Sequence, residues 1–299
     1  MNAVISSDRT RIHRLSGART LAYLEQGDPD GHPVVFLHGL GSSMYGVHPD
    51  ESIAERLGVR LIAPDRPGTG GSDAEPRRTL SDWAADLASL LQALEVGRVS
   101  LIGWSAGGPH ALAFAASQPQ CVERVVLVSS AAPLDGPGSP AYAEERWRSI
   151  GLMARHAPSL MRPTLNGTAR SFARDPEGAL DHSIHAMVPA DQAVARRPEI
   201  REQLMLAAQD AFRQGAEGIY EDAVAIARPW GFELEDVHVP IHLWHGTEDT
   251  TWAPSVAEAV ERRLPRVTST FVEGAGHLLY LDRWADILAS AIGQPFSLS

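Results

Sequence analysis

Short apolar runs alternate along most of the chain with longer stretches in which apolar residues recur every three or four positions. Runs at 34–37, 61–63, 99–102 and 125–128 are too short for helices and apolar throughout, which predicts strands buried on both faces of a parallel sheet. Each gives way to residues suited to a turn or a site: His38-Gly39, Pro64-Asp65, Gly103 and Ser129-Ser130. Between the second and third runs, residues 80–94 place Trp83, Leu87, Leu90, Leu91 and Leu94 at helical spacing, with Asp82 and Asp86 on another face. That pattern predicts an amphipathic helix. Two earlier pieces, 11–15 and 20–25, flank a turn at Gly17 and predict an antiparallel start to the sheet. A second turn cluster, Gly27-Asp28-Pro29-Asp30-Gly31, follows them. The rhythm resumes late, with strands at 241–244 and 268–272 and helices at 255–264 and 278–292. The whole predicts an α/β fold, a mostly parallel sheet flanked by helices.

From residue 133 to 235 the rhythm changes. This stretch holds eleven Arg, four Met and several Pro and Gly, with helical periodicity and no strand pair. It predicts a helical insertion set on the sheet, dividing the chain into a core of residues 1–132 and 236–299 and an insertion of residues 133–235. Met153, Met161, Met187 and Met205 offer either an adaptable apolar lid or ordinary packing.

Composition narrows the chemistry. Of 299 residues 44% are apolar, enough for a real core and against extended disorder. A formal charge of −11 argues against nucleic acid or an anionic membrane surface as partner. All 26 basic residues are Arg. Without lysine there is no Schiff base, no Ser-Lys dyad, no pyridoxal-phosphate anchor and no Walker-type phosphate loop. The single cysteine, Cys121, forms no internal disulfide and reads as a buried or half-buried thiol in a helix-to-strand turn. Residues 1–14 carry Asp8, Arg9, Arg11 and Arg14 and no apolar stretch suited to a signal peptide. No window approaches the roughly 18 to 20 apolar residues of a membrane span. A soluble, cytoplasmic protein is expected. His182 and His185 are spaced like helical metal ligands but lack a third, so no metal site is expected. Asn166-Gly167-Thr168 fits a glycosylation sequon and reads as a turn.

The central motif is Gly103-Trp104-Ser105-Ala106-Gly107-Gly108, which fits G-x-S-x-G. A strand precedes it and an Ala-rich helix follows, as a nucleophile on a sharp strand-to-helix turn requires. Serine needs a base to take its proton, usually an oriented histidine. Of the 12 histidines, His277 stands out, in the glycine-rich Glu273-Gly274-Ala275-Gly276-His277 just after the final strand. A loop there reaches the carboxyl edge of the sheet, where ligands bind in open α/β folds. The third member should be a carboxylate ending another strand, and Asp249 in His245-Gly246-Thr247-Glu248-Asp249 holds that position, with Glu248 as its rival. The order Ser105, Asp249, His277 is the one this architecture uses. Two backbone donors should hold an oxyanion: the N–H of Ala106 and, from His38-Gly39-Leu40-Gly41-Ser42-Ser43, that of Leu40. His245 reads as structural, while Trp104 and His110 either line the pocket or pack.

These residues resemble the α/β-hydrolase family over most of the chain. Besides the three candidate residues, the match includes His38-Gly39, Asp65-Arg66-Pro67-Gly68-Thr69-Gly70-Gly71-Ser72 and Gly274-Ala275-Gly276-His277. Arg228-Pro229-Trp230-Gly231-Phe232, ahead of Leu243-Trp244-His245-Gly246, is similar to a bacterial subgroup with poorly defined substrates. The resemblance implies about eight strands, a helical cap inserted after the sixth, and no cofactor. Family members often carry Pro four residues after the acid. Here that position is Ala253, with Pro254 one later. In some relatives the acid follows the sixth strand instead, where Asp135 is nearest. A serine nucleophile sets the chain apart from haloalkane dehalogenases and epoxide hydrolases, which use Asp. The expected reaction is hydrolysis of a carboxylic ester or related acyl bond of a small, largely apolar molecule. C–C bond hydrolysis, aminopeptidase, acyltransferase or lyase chemistry on the same scaffold remain alternatives, as does ligand binding without catalysis.

Overall fold

Eight strands form one sheet: β1 (Thr10–Arg14), β2 (Thr20–Gly27), β3 (His32–Leu37), β4 (Val59–Pro64), β5 (Val99–Trp104), β6 (Val122–Val128), β7 (Ile241–Gly246) and β8 (Val267–Val272). The computed structural model describes residues 10–134, 139–141 and 145–296. The strand order is β1-β2-β4-β3-β5-β6-β7-β8. β2 pairs antiparallel with β1 and β4, and every later pairing is parallel. The eight-stranded, mostly parallel sheet and its antiparallel start are therefore as the sequence led us to expect.

The apolar runs are uninterrupted because both faces of the sheet are covered. In β3, Val35 and Leu37 pack into one hydrophobic layer and Val34 and Phe36 into the other. β6 divides in the same way, Val125 and Leu127 against Val126 and Val128. This is the two-residue period of a strand with a core on each side. On the first face lie helices Leu80–Ala93, Gly107–Ser117 and Pro254–Glu261. Helix Leu80–Ala93 starts at a capping box between Thr79 and Asp82 and buries Trp83, Leu87, Leu90 and Leu91. On the second face lie Ser52–Arg56 and Trp284–Ala291.

Two local expectations change. The single helix predicted over 278–292 is two, Leu279–Asp282 and Trp284–Ala291, separated at Arg283 (φ −112°, ψ 24°). With the chain broken there, Tyr280 and Trp284 both pack on Phe36, and the Tyr280 hydroxyl donates to the Gly46 carbonyl at 2.8 Å. Asn166-Gly167-Thr168 is not a turn but lies inside helix Arg162–Arg174, which buries Phe172. Tertiary packing overrides the turn preference of Asn-Gly there.

Between β6 and β7 the chain forms helices Glu145–His156, Arg162–Arg174, Pro176–His185, Pro189–Ala195, Pro198–Ala211 and Glu217–Ala227, with no strand among the described residues. Four of them carry proline in the first turn, where the missing N–H costs no helical hydrogen bond. Met161 packs against one core layer and Met187 and Met205 against the other, while Met153 is exposed. His182 and His185 are exposed at the end of their helix. Among the described residues, no helix is long and apolar enough to cross a membrane.

Because β3, β5, β7 and β8 run parallel, the loops at their carboxyl ends share one edge of the sheet. These are the four loops that carry Leu40, Ser105, Asp249 and His277. Leu87 is fully buried between its helix and the sheet. Leu87→Ala should cost about 2–5 kcal/mol in chemical denaturation. Ile12→Ala, at an exposed position on β1, should change stability by less than about 0.5 kcal/mol.

Candidate active site

The site begins with a backbone constraint. β5 runs into helix Gly107–Ser117 with only two residues between, and Ser105 is forced to φ +53°, a region L-residues seldom occupy. The strain is held from both sides. Ser105 N–H donates to the Val128 carbonyl at 2.9 Å, and its own carbonyl accepts from Gly108 N–H (3.0 Å) and Ala131 N–H (2.9 Å). A Cβ at Gly107 would collide with the backbone of Leu37, and one at Gly103 with that of Gly107 and Gly108. The motif's glycines thus set how closely helix and strand approach.

His277 lies across from this turn. Its Nε2 is 2.9 Å from Ser105 Oγ and its Nδ1 is 2.8 Å from Asp249 Oδ2. An ionised carboxylate can only accept, so Nδ1 carries the proton and Nε2 accepts from the serine hydroxyl. The other Asp249 oxygen accepts from the N–H groups of Thr251 (2.8 Å) and Trp252 (3.1 Å). Burial alone would raise the Asp249 pKa, but His277 and the backbone donors outweigh it and hold the carboxyl below its usual range. Glu248 is exposed, and its backbone N–H is bonded to the Ala275 carbonyl. Asp135 lies outside the described residues.

Around the serine, the two flanking residues pack. Trp104 packs against Tyr280 with the rings tilted (4.6 Å between centroids) and donates its Nε1–H to the His277 carbonyl at 3.1 Å. His110 is buried and donates from Nδ1 to the Ala106 carbonyl at 2.8 Å. His245, also buried, lies 2.8 Å from the Trp252 carbonyl through Nε2 and so braces the acid loop.

The N–H groups of Leu40 and Ala106 make no hydrogen bond to another described residue. The Leu40 loop is fixed from behind by Arg66, a residue the sequence did not single out for a role. Its guanidinium donates to the carbonyls of His38 (2.6 Å) and Gly39 (3.2 Å), and its Nε to Asp222 Oδ2 (2.7 Å). Asp222, on helix Glu217–Ala227, also accepts from Arg78. Both Arg66 and Asp222 are almost wholly buried. Burial would raise the Asp222 pKa, but Arg66 and Arg78 hold it well below the carboxylate range. Burial, reinforced by the Arg66 charge, pushes His110 down to about 3 and His38 well below the ordinary histidine value. The cluster is therefore two guanidinium groups sharing one carboxylate, flanked by neutral imidazoles.

A model of the alpha/beta hydrolase fold matches residues 32–283, most of the chain. The chain belongs to the α/β-hydrolase family. It is 30% identical over 257 residues to a pimeloyl-[acyl-carrier protein] methyl ester esterase of Aromatoleum aromaticum, spanning 85% of this chain and 94% of that protein. It is 40% identical to an sn-1-specific diacylglycerol lipase of Danio rerio over 103 residues, so this chain matches only about a third of that relative's length (32%). Among solved structures, the enol-lactonase from Burkholderia xenovorans superposes with a TM-score of 0.70 at 20% identity, over 95% of this chain and all (100%) of that one, a likeness of fold. The protein is thus an enzyme of the α/β-hydrolase type.

The buried histidines make stability depend on pH. An unfolded histidine takes a proton below about pH 6.5, whereas folded His110 does not until about 3. Between those values the unfolded chain binds more protons, so stability is lost as the pH is lowered. Asp222, with its depressed pKa, acts in the same direction lower in the acid range. His110→Asn keeps a donor for the Ala106 carbonyl but cannot protonate. Its melting temperature should fall less steeply than the wild type's between pH 6.5 and 4; coincident slopes would show that His110 is not held neutral.

Proposed function

We propose that the protein hydrolyses a carboxylic ester, or a related acyl bond, of a small and largely apolar molecule through an acyl-enzyme on Ser105. The observation that carries this reading is the continuous hydrogen-bonded chain from Ser105 Oγ through His277 to Asp249. Ser105 Oγ attacks the carbonyl carbon while His277 Nε2 takes its proton, and Asp249 orients the ring and offsets its positive charge. The N–H groups of Leu40 and Ala106 receive the oxyanion. Collapse expels the alcohol, which leaves with the proton from His277. Water then attacks the acyl-enzyme with His277 as base, releasing the acid and restoring the serine.

Residues 133–235 serve in this reading as a cap over a core of residues 1–132 and 236–299. The stacking of Trp147 on Trp252 (3.7 Å between centroids), beside the acid loop, supports a covering role. The similarity to an esterase and a lipase, both named for ester substrates, supports the bond class. The net charge of −11 favours a small-molecule substrate over nucleic acid or a membrane surface.

Ser105→Ala should abolish turnover of a short p-nitrophenyl ester and labelling by a fluorophosphonate. Asp249→Asn should retain the fold and lose about 10⁴-fold in kcat, while Glu248→Gln should stay within about twofold of wild type. Undiminished labelling of Ser105→Ala would sink the mechanism. A panel of esters, lactones, amides and diketones identifies the bond, and preference for a diketone would redirect the assignment to C–C cleavage.

A further inference from the structure

Asp191 has no part in the reaction as written, yet its carboxylate is buried against the base. It lies on helix Pro189–Ala195 of the insertion and is 4% exposed. One oxygen, Oδ2, accepts from His277 N–H at 2.9 Å, and the other, Oδ1, accepts from Leu278 N–H at 2.8 Å. Burial raises its pKa while these two bonds oppose the rise. An acid is kept out of water here chiefly to hold two consecutive peptide groups, an expensive arrangement if the only gain were packing.

The rest of His277 is held by other groups. Its carbonyl accepts from Trp104 Nε1, and its ring is gripped at Nδ1 by Asp249. With Asp191 on the N–H, backbone and ring are fixed at three points, and only Nε2 faces Ser105. The neighbouring Gly276 fits the same picture: a Cβ there would meet the Asp191 carboxylate before anything else. Its φ lies outside the left-handed range, so alanine there would press on Asp191 without straining the backbone.

We propose that Asp191 is a positioning residue for His277, supplied by the inserted helices, and that it sets the distance from Nε2 to Ser105. The inference rests on the Ser105–His277–Asp249 mechanism above. It makes the base's geometry depend on where helix Pro189–Ala195 sits, so the insertion supports catalysis as well as covering the site.

The test uses the full-length protein and two independent changes. Asp191→Asn replaces one acceptor by an amide donor facing a backbone N–H. Gly276→Ala leaves Asp191 in place and wedges a methyl group against it. Each folded variant should lose about 10- to 100-fold in kcat with KM within about threefold, as expected for a misplaced catalytic group. The rate of fluorophosphonate labelling should fall by the same factor. The downfield proton resonance of the His277 Nδ1–H should shift or broaden, which a merely structural role would not require. In an Asp191→Ala background, adding Gly276→Ala should cost less than about twofold more, because the wedge has nothing to press on. If Asp191→Asn does not fold, the Gly276→Ala pair carries the test. Folded variants that label at the wild-type rate, or losses confined to KM, overturn the proposal. If Ser105→Ala still labels, the mechanism itself fails; if it does not label while the Asp191 variants match wild type, only the role of Asp191 fails.

Discussion

The close crossing of β5 by the helix that follows it constrains the rest of the site. Gly103 lets β5 pass close to the helix, Gly107 lets the helix start against Leu37 of β3, and Ser105 between them takes a positive φ. That angle lifts its side chain out at the carboxyl edge of the sheet, with the helix N-terminus behind it. The parallel order of β3, β5, β7 and β8 then delivers three more loops to that edge. Two of them fill places that the position of the serine defines: His277 beside Oγ and Asp249 behind His277. Relaxing the crossing would leave these loops intact but aimed at nothing.

A second constraint comes from the inserted helices, which touch the same loops one by one. Trp147, on Glu145–His156, stacks on Trp252 and donates to the Thr251 carbonyl at 2.9 Å, next to the backbone that holds Asp249. Asp191, on Pro189–Ala195, holds the His277 backbone. Asp222, on Glu217–Ala227, holds Arg66 and through it the carbonyls of His38 and Gly39. Three different helices thus buttress three different loops. A buried charge stripped of its partner costs about 3–5 kcal/mol, so the Arg66–Asp222 contact resists separation more than an apolar contact of similar size.

This division explains what the sequence disclosed. The serine turn, the glycine loop before His277 and the strand ending at Asp249 are local arrangements, so a few adjacent residues announce each of them. Their chain order then ties them to one architecture. Arg66 and Asp222 are 156 residues apart, and Asp191 and His277 are 86 apart. No spacing rule links such partners, because their meeting depends on how the inserted helices dock. Asp191 looks like any first-turn helix acid, the usual complement to a helix dipole. Only its burial against two peptide groups sets it apart. The same limit explains the helix expected over 278–292: its periodicity is continuous, and the break at Arg283 answers to packing around Phe36.

In the proposed mechanism, the charges near the site leave backbone dipoles to face the reacting carbonyl. Arg66 lies behind the Leu40 loop and shares the Asp222 carboxylate with Arg78, and His38 and His110 are kept neutral. The Gly39 carbonyl accepts from both Arg66 Nη2 and His38 Nδ1, at 3.2 and 2.9 Å. That carbonyl belongs to the same peptide group as the Leu40 N–H. The Ser105 carbonyl, which accepts from Gly108 and Ala131, shares a peptide group with the Ala106 N–H. In both proposed oxyanion donors, therefore, hydrogen bonds drawn to the far end of the peptide polarise the N–H at the near end. Arg66 would then act on a developing oxyanion through the Gly39–Leu40 peptide, without an exposed cation to bind anionic substrates in its place. A donor pair strengthened in this way favours a localised negative oxygen over a neutral carbonyl, and so favours the tetrahedral intermediate over the bound ester.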